Sequence, residues 1–407
     1  MRGHIGAVGA VVALVLVGTA GTAGCTAEPA GRSAAPARSE GAAGPAAGAP
    51  APPRMPSAPD LPGWAHSPGF AADGSGFTLL ARCVEDEAQP ENSFCRQHVA
   101  VLDKGAASWE LRRSPLPEVR GTHGVSAQIT VLGPGRALIR EGSEEHPLRT
   151  WFTRDGGRSW TKGEGRPAGT VAAIPAGGAL TLACAQPPGA SVDDCALRQL
   201  LVISPEDGKF RALARGPQLG SHMRPADVAE PDGSWWASGV DPVSKRPAVA
   251  VSRDAGRSWA TSVLPSPPTT NPWGVSVAVG PDAVYAAEMG ELTGGEPVKN
   301  PMRALHRSLD GGRTWKRMWT TTSTDEPRTL LGLPVPGPGG RVTIHGEAGA
   351  YTSMDGGSTF RPAGARLGHV NRTPMGLLRQ PGSGCEYGIS ADGVRWTQVR
   401  LACSAES

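Results

Sequence analysis

The sequence predicts an all-β fold: a single β-propeller of seven blades, with six as the alternative, behind a disordered N-terminal tether. Three observations carry that prediction. An eight-residue phrase returns four times in full and three times in degenerate form, its aspartates recur at blade-like intervals, and the stretches between read as short apolar strands punctuated by Gly and Pro.

The full copies run from Thr153 to Trp160, Ser252 to Trp259, Ser308 to Trp315 and Ser353 to Phe360, in the pattern Ser/Thr-x-Asp-x-Gly-x-Ser/Thr-aromatic. Each joins two apolar stretches, as a hairpin turn does. The carboxylates of Asp155, Asp254, Asp310 and Asp355 can accept hydrogen bonds from the turn's own N–H groups, and Gly157, Gly256, Gly312 and Gly357 supply positive φ. Trp160, Trp259, Trp315 and Phe360 then enter the next strand, where an inward-facing aromatic buries the most apolar area. Degenerate copies from Asp103 to Trp109, Ser204 to Phe210 and Ser390 to Trp396 extend the series. The aspartates Asp103, Asp155, Asp207, Asp254, Asp310, Asp355 and Asp392 are separated by 52, 52, 47, 56, 45 and 37 residues. Such periods mean one four-stranded sheet per repeat, and the short last interval is what leaves six blades open.

The phrase resembles the Asp-box, or BNR repeat, of the sialidase-like β-propellers. The resemblance implies that these turns lie on the face away from an active site, so the four carboxylates are expected to be structural. Sialidases of this fold place an Arg-Ile-Pro motif early in the chain, an arginine triad around the substrate carboxylate, a tyrosine nucleophile paired with a glutamate, and an aspartate acid/base. This sequence has no Arg-Ile-Pro. Its nearest phrase, Ala137-Leu138-Ile139-Arg140-Glu141, reverses the order, and Tyr285, Tyr351 and Tyr387 each sit inside an apolar strand pattern. No catalytic residue is therefore assigned. The resemblance instead implies a non-catalytic binding propeller, with a diverged sialidase-like or other glycan-active hydrolase as the alternative.

Taken in order, residues 1–24 carry Arg2 and His4, an apolar run from Ile5 to Val17, and then small residues, the proportions of a signal peptide. Thr22-Ala23-Gly24-Cys25 resembles the lipobox of bacterial lipoproteins, departing from it at Thr22, and implies lipidation of Cys25 and a membrane anchor on the extracytoplasmic face. Residues 25–60 are mostly Ala, Pro and Gly and cannot bury enough surface to fold. They form a tether of roughly 30 Å as a flexible coil. Residues 61–407 form the propeller. In the fifth unit, strands are expected at 274–279, 283–287, 304–308 and 315–319. In the second, they are expected at 125–132, 136–140, 148–153 and 160–162.

The formal charge of +3 over 407 residues gives no footprint for nucleic acid. Besides Cys25, the six remaining cysteines form three local pairs without metal-site spacing: Cys83 with Cys95, Cys184 with Cys195, and Cys385 with Cys403. Disulfides at all three imply an oxidising compartment. No metal or cofactor is expected, and the chain reads as a monomer.

Aligning the repeats places one polar set just before the first strands, where it would ring a mouth of the central channel: His66, His123, His222, Arg224, Trp273, Arg328, His369 and Arg372. Guanidinium and imidazole donors beside tryptophan suit an anionic or sugar-bearing envelope component, whether protein, peptide or glycan. If the histidines take part, affinity is expected to strengthen as pH falls through roughly 6.5.

Overall fold

The fifth unit shows how a blade is built. Strands Val275–Val279, Val284–Met289, Met302–Ser308 and Lys316–Thr320 pair consecutively and antiparallel, within about two residues of the expected bounds. The computed structural model describes residues 53–121, 124–142, 148–184, 198–220, 222–268, 273–292, 297–366, 368–382 and 384–403. Over them the chain forms seven sheets, one per repeat, so the propeller has seven blades. Among the described residues no helix is long and apolar enough to cross a membrane. The middle strands are buried on both faces. In blade four, every residue of Trp235–Val240 and Pro247–Ser252 is covered, which is why these strands read as unbroken apolar runs.

The core is divided among the seven interfaces between blades. Each cluster joins consecutive blades, for example Val249, Val251 and Trp236 of blade four with Val275, Val277 and Ala286 of blade five. The aromatic that ends the repeated phrase belongs to the cluster its blade shares with the one before. Trp160, Phe210, Trp259, Trp315, Phe360 and Trp396 do this in blades two to seven. Trp109 of blade one packs with Leu378 and Tyr387 of blade seven and closes the ring. These aromatics are mostly half-buried between blades rather than turned wholly inward. Trp315, for instance, meets Trp236 edge to face at 6.4 Å and donates from Nε1 to Ser262 Oγ at 2.9 Å.

The turn itself is a closed hydrogen-bond cage. In blade two, Thr153 Oγ1 donates to Asp155 Oδ1 at 2.8 Å and accepts from the Gly157 N–H at 3.0 Å. Asp155 also accepts from the N–H of Ser159 at 2.9 Å and from its hydroxyl. The copies at Asp254, Asp310 and Asp355 repeat this. The Ser159 hydroxyl, with help from other turn donors, pulls Asp155 down to about 2, and the Ser258 hydroxyl does the same to Asp254, also to about 2. Asp310 and Asp355 are lowered too, first by the Thr314 and Ser353 hydroxyls respectively. A folded-state pKa below the unfolded value stabilises the fold above about pH 4 and loses that contribution as pH falls toward 2. The thermal midpoint is therefore expected to drop steeply between pH 4 and 2. A variant carrying Ser159→Ala, Ser258→Ala and Thr314→Val should lose part of that slope, and an unchanged slope would show that other carboxylates dominate.

The packed body begins before Leu61. Met55 joins the core between blades seven and one, and Ala58 bridges Leu401 in parallel, so residues up to Asp60 are not all tether. Trp109 Nε1 also donates to the Pro56 carbonyl at 3.0 Å. Cys83 and Cys95 face each other across the second and third strands of blade one and are bonded, with Cα atoms 4.0 Å apart. Cys385 and Cys403 are bonded in blade seven, and the Cys403 N–H donates to the Pro59 carbonyl, tying the first and last described segments together. Cys25, Cys195 and the bond expected between Cys184 and Cys195 lie outside the described residues.

Candidate functional site

Inner and third strands run the same way, so the turns after them share one face. In blade two the Gly156 N–H donates to the Gly135 carbonyl of the inner hairpin at 2.9 Å, and Gly356 does the same to Gly340 in blade six. The opposite face, where inner strands begin, is the mouth at which the sequence placed its polar set.

Blade three departs from the plan there. Its sheet runs outward from the second strand, Ala179–Cys184, through Arg198–Ile203 to Phe210–Leu213. The short strand Thr170–Val171, which leads into the blade, pairs in parallel on the outer edge instead of filling the inner position. The inner strand of blade four, Arg224–Pro225, therefore lies beside the second strand of blade three. The Leu180 N–H donates to the Asp227 carbonyl at 2.9 Å. Between these blades is a cleft of about 320 Å³ lined by Thr181, Leu182, Arg198, Arg224, Pro225 and Asp227.

Asp227 is the unusual residue of this cleft. It is exposed to solvent, yet protein surrounds it closely enough that desolvation raises its carboxyl, with Arg140 pulling the other way. A group both accessible and enclosed sits in a concavity, which is where recognition is concentrated. Arg140, from the second strand of blade two, is anchored by a 2.7 Å bond from Nη1 to Thr181 Oγ1. Arg198 reaches the Met223 carbonyl at 3.5 Å. Arg224 lies over Gly274, where a Cβ would come within 2.7 Å of its Cδ, so the glycine leaves the space that the arginine occupies. Trp273, which precedes Gly274 in the chain, is 36% exposed. Burial, then Arg198 and Arg224, lower the pKa of His222.

The predicted polar set thus divides. Arg224 lines this cleft, His222 lies within electrostatic reach of its Arg198 and Arg224, and Trp273 precedes the Gly274 over which Arg224 lies. Arg328 lines a second one of about 230 Å³ between blades five and six, held by Glu326 at 2.9 Å. His369 lies near Glu347, which is itself bound by Arg366 at 2.9 Å. His66 is enclosed in the inner strand of blade one, where burial lowers it to about 4 and keeps it neutral. His123 lies outside the described residues.

Arg372 is not at the mouth. It pairs at 2.8 Å with Glu230, in the inner hairpin of blade four, and both are nearly covered. Glu230 also accepts from the N–H of Val279, at the end of the inner strand of blade five, so the pair crosses the channel toward the repeated-turn face. The pH response expected near 6.5 also moves, because burial lowers His66, His222 and His369 alike.

Two other polar groupings are structural. Ser266, His306 and Glu288 meet within hydrogen-bond reach between blades four and five, but all three are sealed from solvent, so no substrate can reach them. Tyr285 and Tyr387 are buried, and Tyr387 donates its hydroxyl to the Ala65 carbonyl at 2.6 Å, tying blade seven to blade one. Among the described residues no group of three or more His, Cys, Asp or Glu is placed to hold a metal ion. The sequence reading missed Arg140, Thr181, Arg198, Asp227 and Glu230. The one available signal was Asp227, an acidic residue three positions beyond Arg224.

The fold and cleft define the chain as a seven-bladed propeller with a polar mouth. No family model matches it, and no curated protein sequence does. Among solved structures it is similar to a prolyl endopeptidase, at 10% identity and a TM-score of 0.45, over 83% of this chain and 50% of that one. It is also similar to the acylaminoacyl peptidase of Pyrococcus horikoshii, at 10% identity and a TM-score of 0.41, over 83% of this chain and 52% of that one. The chain thus spans about half the length of these structures.

Proposed function

We propose that this chain is an exported lipoprotein, anchored through Cys25 to the outer face of the cell membrane. Its sialidase-like Asp-box propeller binds a protein, peptide or glycan of the envelope without transforming it. The observation that carries the reading is the cleft between blades three and four, whose lining brings together Arg198, Arg224 and the enclosed but accessible Asp227. Fixed guanidinium and carboxylate groups in a concave mouth bind charged partners through directed, charge-assisted bonds. The Ala/Pro/Gly-rich stretch after Cys25 gives such a receptor reach from the membrane surface.

Two measurements test it. Cys25→Ser is expected to move the protein from the membrane fraction to the soluble fraction with an unchanged melting temperature, because anchor and propeller are separate. Retention in the membrane pellet refutes the anchor. Capture from detergent-solubilised envelope is expected to recover a partner with the wild type and to lose at least tenfold in yield with Arg198→Ala plus Arg224→Ala, while Arg328→Ala leaves the yield unchanged. Equal recovery by all three places binding elsewhere.

A further inference from the structure

The chain joins the propeller from the repeated-turn face. Ala58 lies parallel to Leu401, just past the outer strand of blade seven, Thr397–Arg400, and that strand leads away from the turn at Asp392. The residues before Ala58 therefore run back toward the turn face. The Pro56 carbonyl follows that course, since it accepts from the indole of Trp109, the residue that ends the turn of blade one. The 27 residues 26–52 separate Cys25 from the first described position. A chain of that length averages roughly 30 Å as a flexible coil, so an anchor at Cys25 holds this face, and not the mouth, nearest the bilayer.

The same face carries side chains suited to a lipid surface. The second position of the repeated phrase is exposed in all four full copies, at Arg154, Arg253, Leu309 and Met354. Leu309 and Met354, on neighbouring blades, are 71% and 66% exposed, and Arg313 is exposed on the same turn as Leu309. Asp310 and Asp355 instead accept from the hydroxyls and N–H groups of their own turns, which directs their carboxylates back into the turn. Apolar tips beside guanidinium groups match the boundary between acyl chains and lipid phosphates. All seven repeated turns lie among the described residues.

We propose that the repeated-turn face rests on the membrane surface, with Leu309 and Met354 at the acyl boundary and Arg253 and Arg313 toward lipid phosphates, so that the mouth faces away from the bilayer. Two apolar side chains bind a membrane too weakly to recruit a free protein. Held by the anchor, the contact becomes intramolecular, and a weak preference then decides the orientation. The partner of the mouth is accordingly a component that approaches from beyond the membrane. This deepens the proposed function and rests on the anchor at Cys25.

The test places the protein purified from the membrane fraction in vesicles of phosphatidylglycerol and phosphatidylethanolamine that carry a nitroxide-headgroup lipid. Dansylalanine replaces either Ser358, exposed on the turn of blade six, or Val243, 87% exposed on the opposite face between the second and third strands of blade four. The nitroxide is expected to quench the probe at 358 about threefold more than the probe at 243. Leu309→Glu with Met354→Glu should halve the quenching at 358, to about one half, while the protein still sediments with the vesicles, since the anchor is untouched. Both side chains are exposed, so the propeller is expected to keep its fold, which circular dichroism checks. Equal quenching at the two positions, stronger quenching at 243, or no change in a folded double variant overturns the proposal. Protein that sediments with vesicles yet is quenched equally at both positions leaves the anchor standing and removes the lipid-facing turn face. Protein that does not sediment refutes the anchor, and the inference falls with it.

Discussion

Replacing Gly312 by alanine is expected to destabilise the propeller by about 2–5 kcal/mol, the sum of left-handed strain and overpacking. Gly312 has φ +87°, and a Cβ there would lie 2.4 Å from Cη2 of Trp236, which is fully buried in the preceding blade. The indole cannot retreat, because its Nε1 donates to Ser234 Oγ at 2.8 Å and its ring meets Trp315. Gly233 is the control. Its φ is +77°, but nothing lies within 4 Å of its would-be Cβ, so Gly233→Ala should cost only about 1–2 kcal/mol for strain. Equal denaturation midpoints for the two variants would show that the turn glycine matters for its backbone alone and not for the contact between blades.

Glu230→Ala is expected to cost about 3–5 kcal/mol, because it leaves the Arg372 guanidinium uncompensated inside the channel. Burial pushes the Glu230 carboxyl up and Arg372 pulls it back, so the carboxylate depends on its partner. The double variant Glu230→Leu with Arg372→Met removes both charges and should recover most of the loss. Urea denaturation of the three proteins reads this directly. A single variant as stable as the wild type would mean that water or another group satisfies Arg372. The ion pair ties blade seven to blade four across the axis, a contact that neighbouring-blade packing cannot supply.

The repeated turn was legible in the sequence because its physics is local. Asp155 finds its donors at Thr153, Ser159 and the turn backbone, all within four residues, so composition and spacing suffice to specify it. The same holds for Cys83 with Cys95, which oppose each other on adjacent strands. The blade count followed from the number of such turns. Where the sequence erred, the deciding partner was distant. Met55 sits in a stretch with the composition of a tether, yet it joins the core cluster of Leu401, where blades seven and one meet as the ring closes. Arg372 reads as one more arginine at an inner strand, and only the channel brings Glu230 against it.

What the sequence alone determined is therefore the architecture: short apolar strands, a turn that closes on itself, and a spacing that allows one sheet per repeat. What only the tertiary structure decided is the mouth. Arg140, Thr181, Arg198, Arg224 and Asp227 come from three blades. Thr181, Arg198, Arg224 and Asp227 line one cleft, with Arg140 bonded to Thr181, because the chain enters blade three on its outer edge and the inner strand of blade four lies beside the second strand of blade three. Local patterns record which residues form strands. Which edge a two-residue strand joins depends on packing against chain that lies dozens of residues away, and that information is absent from any local window.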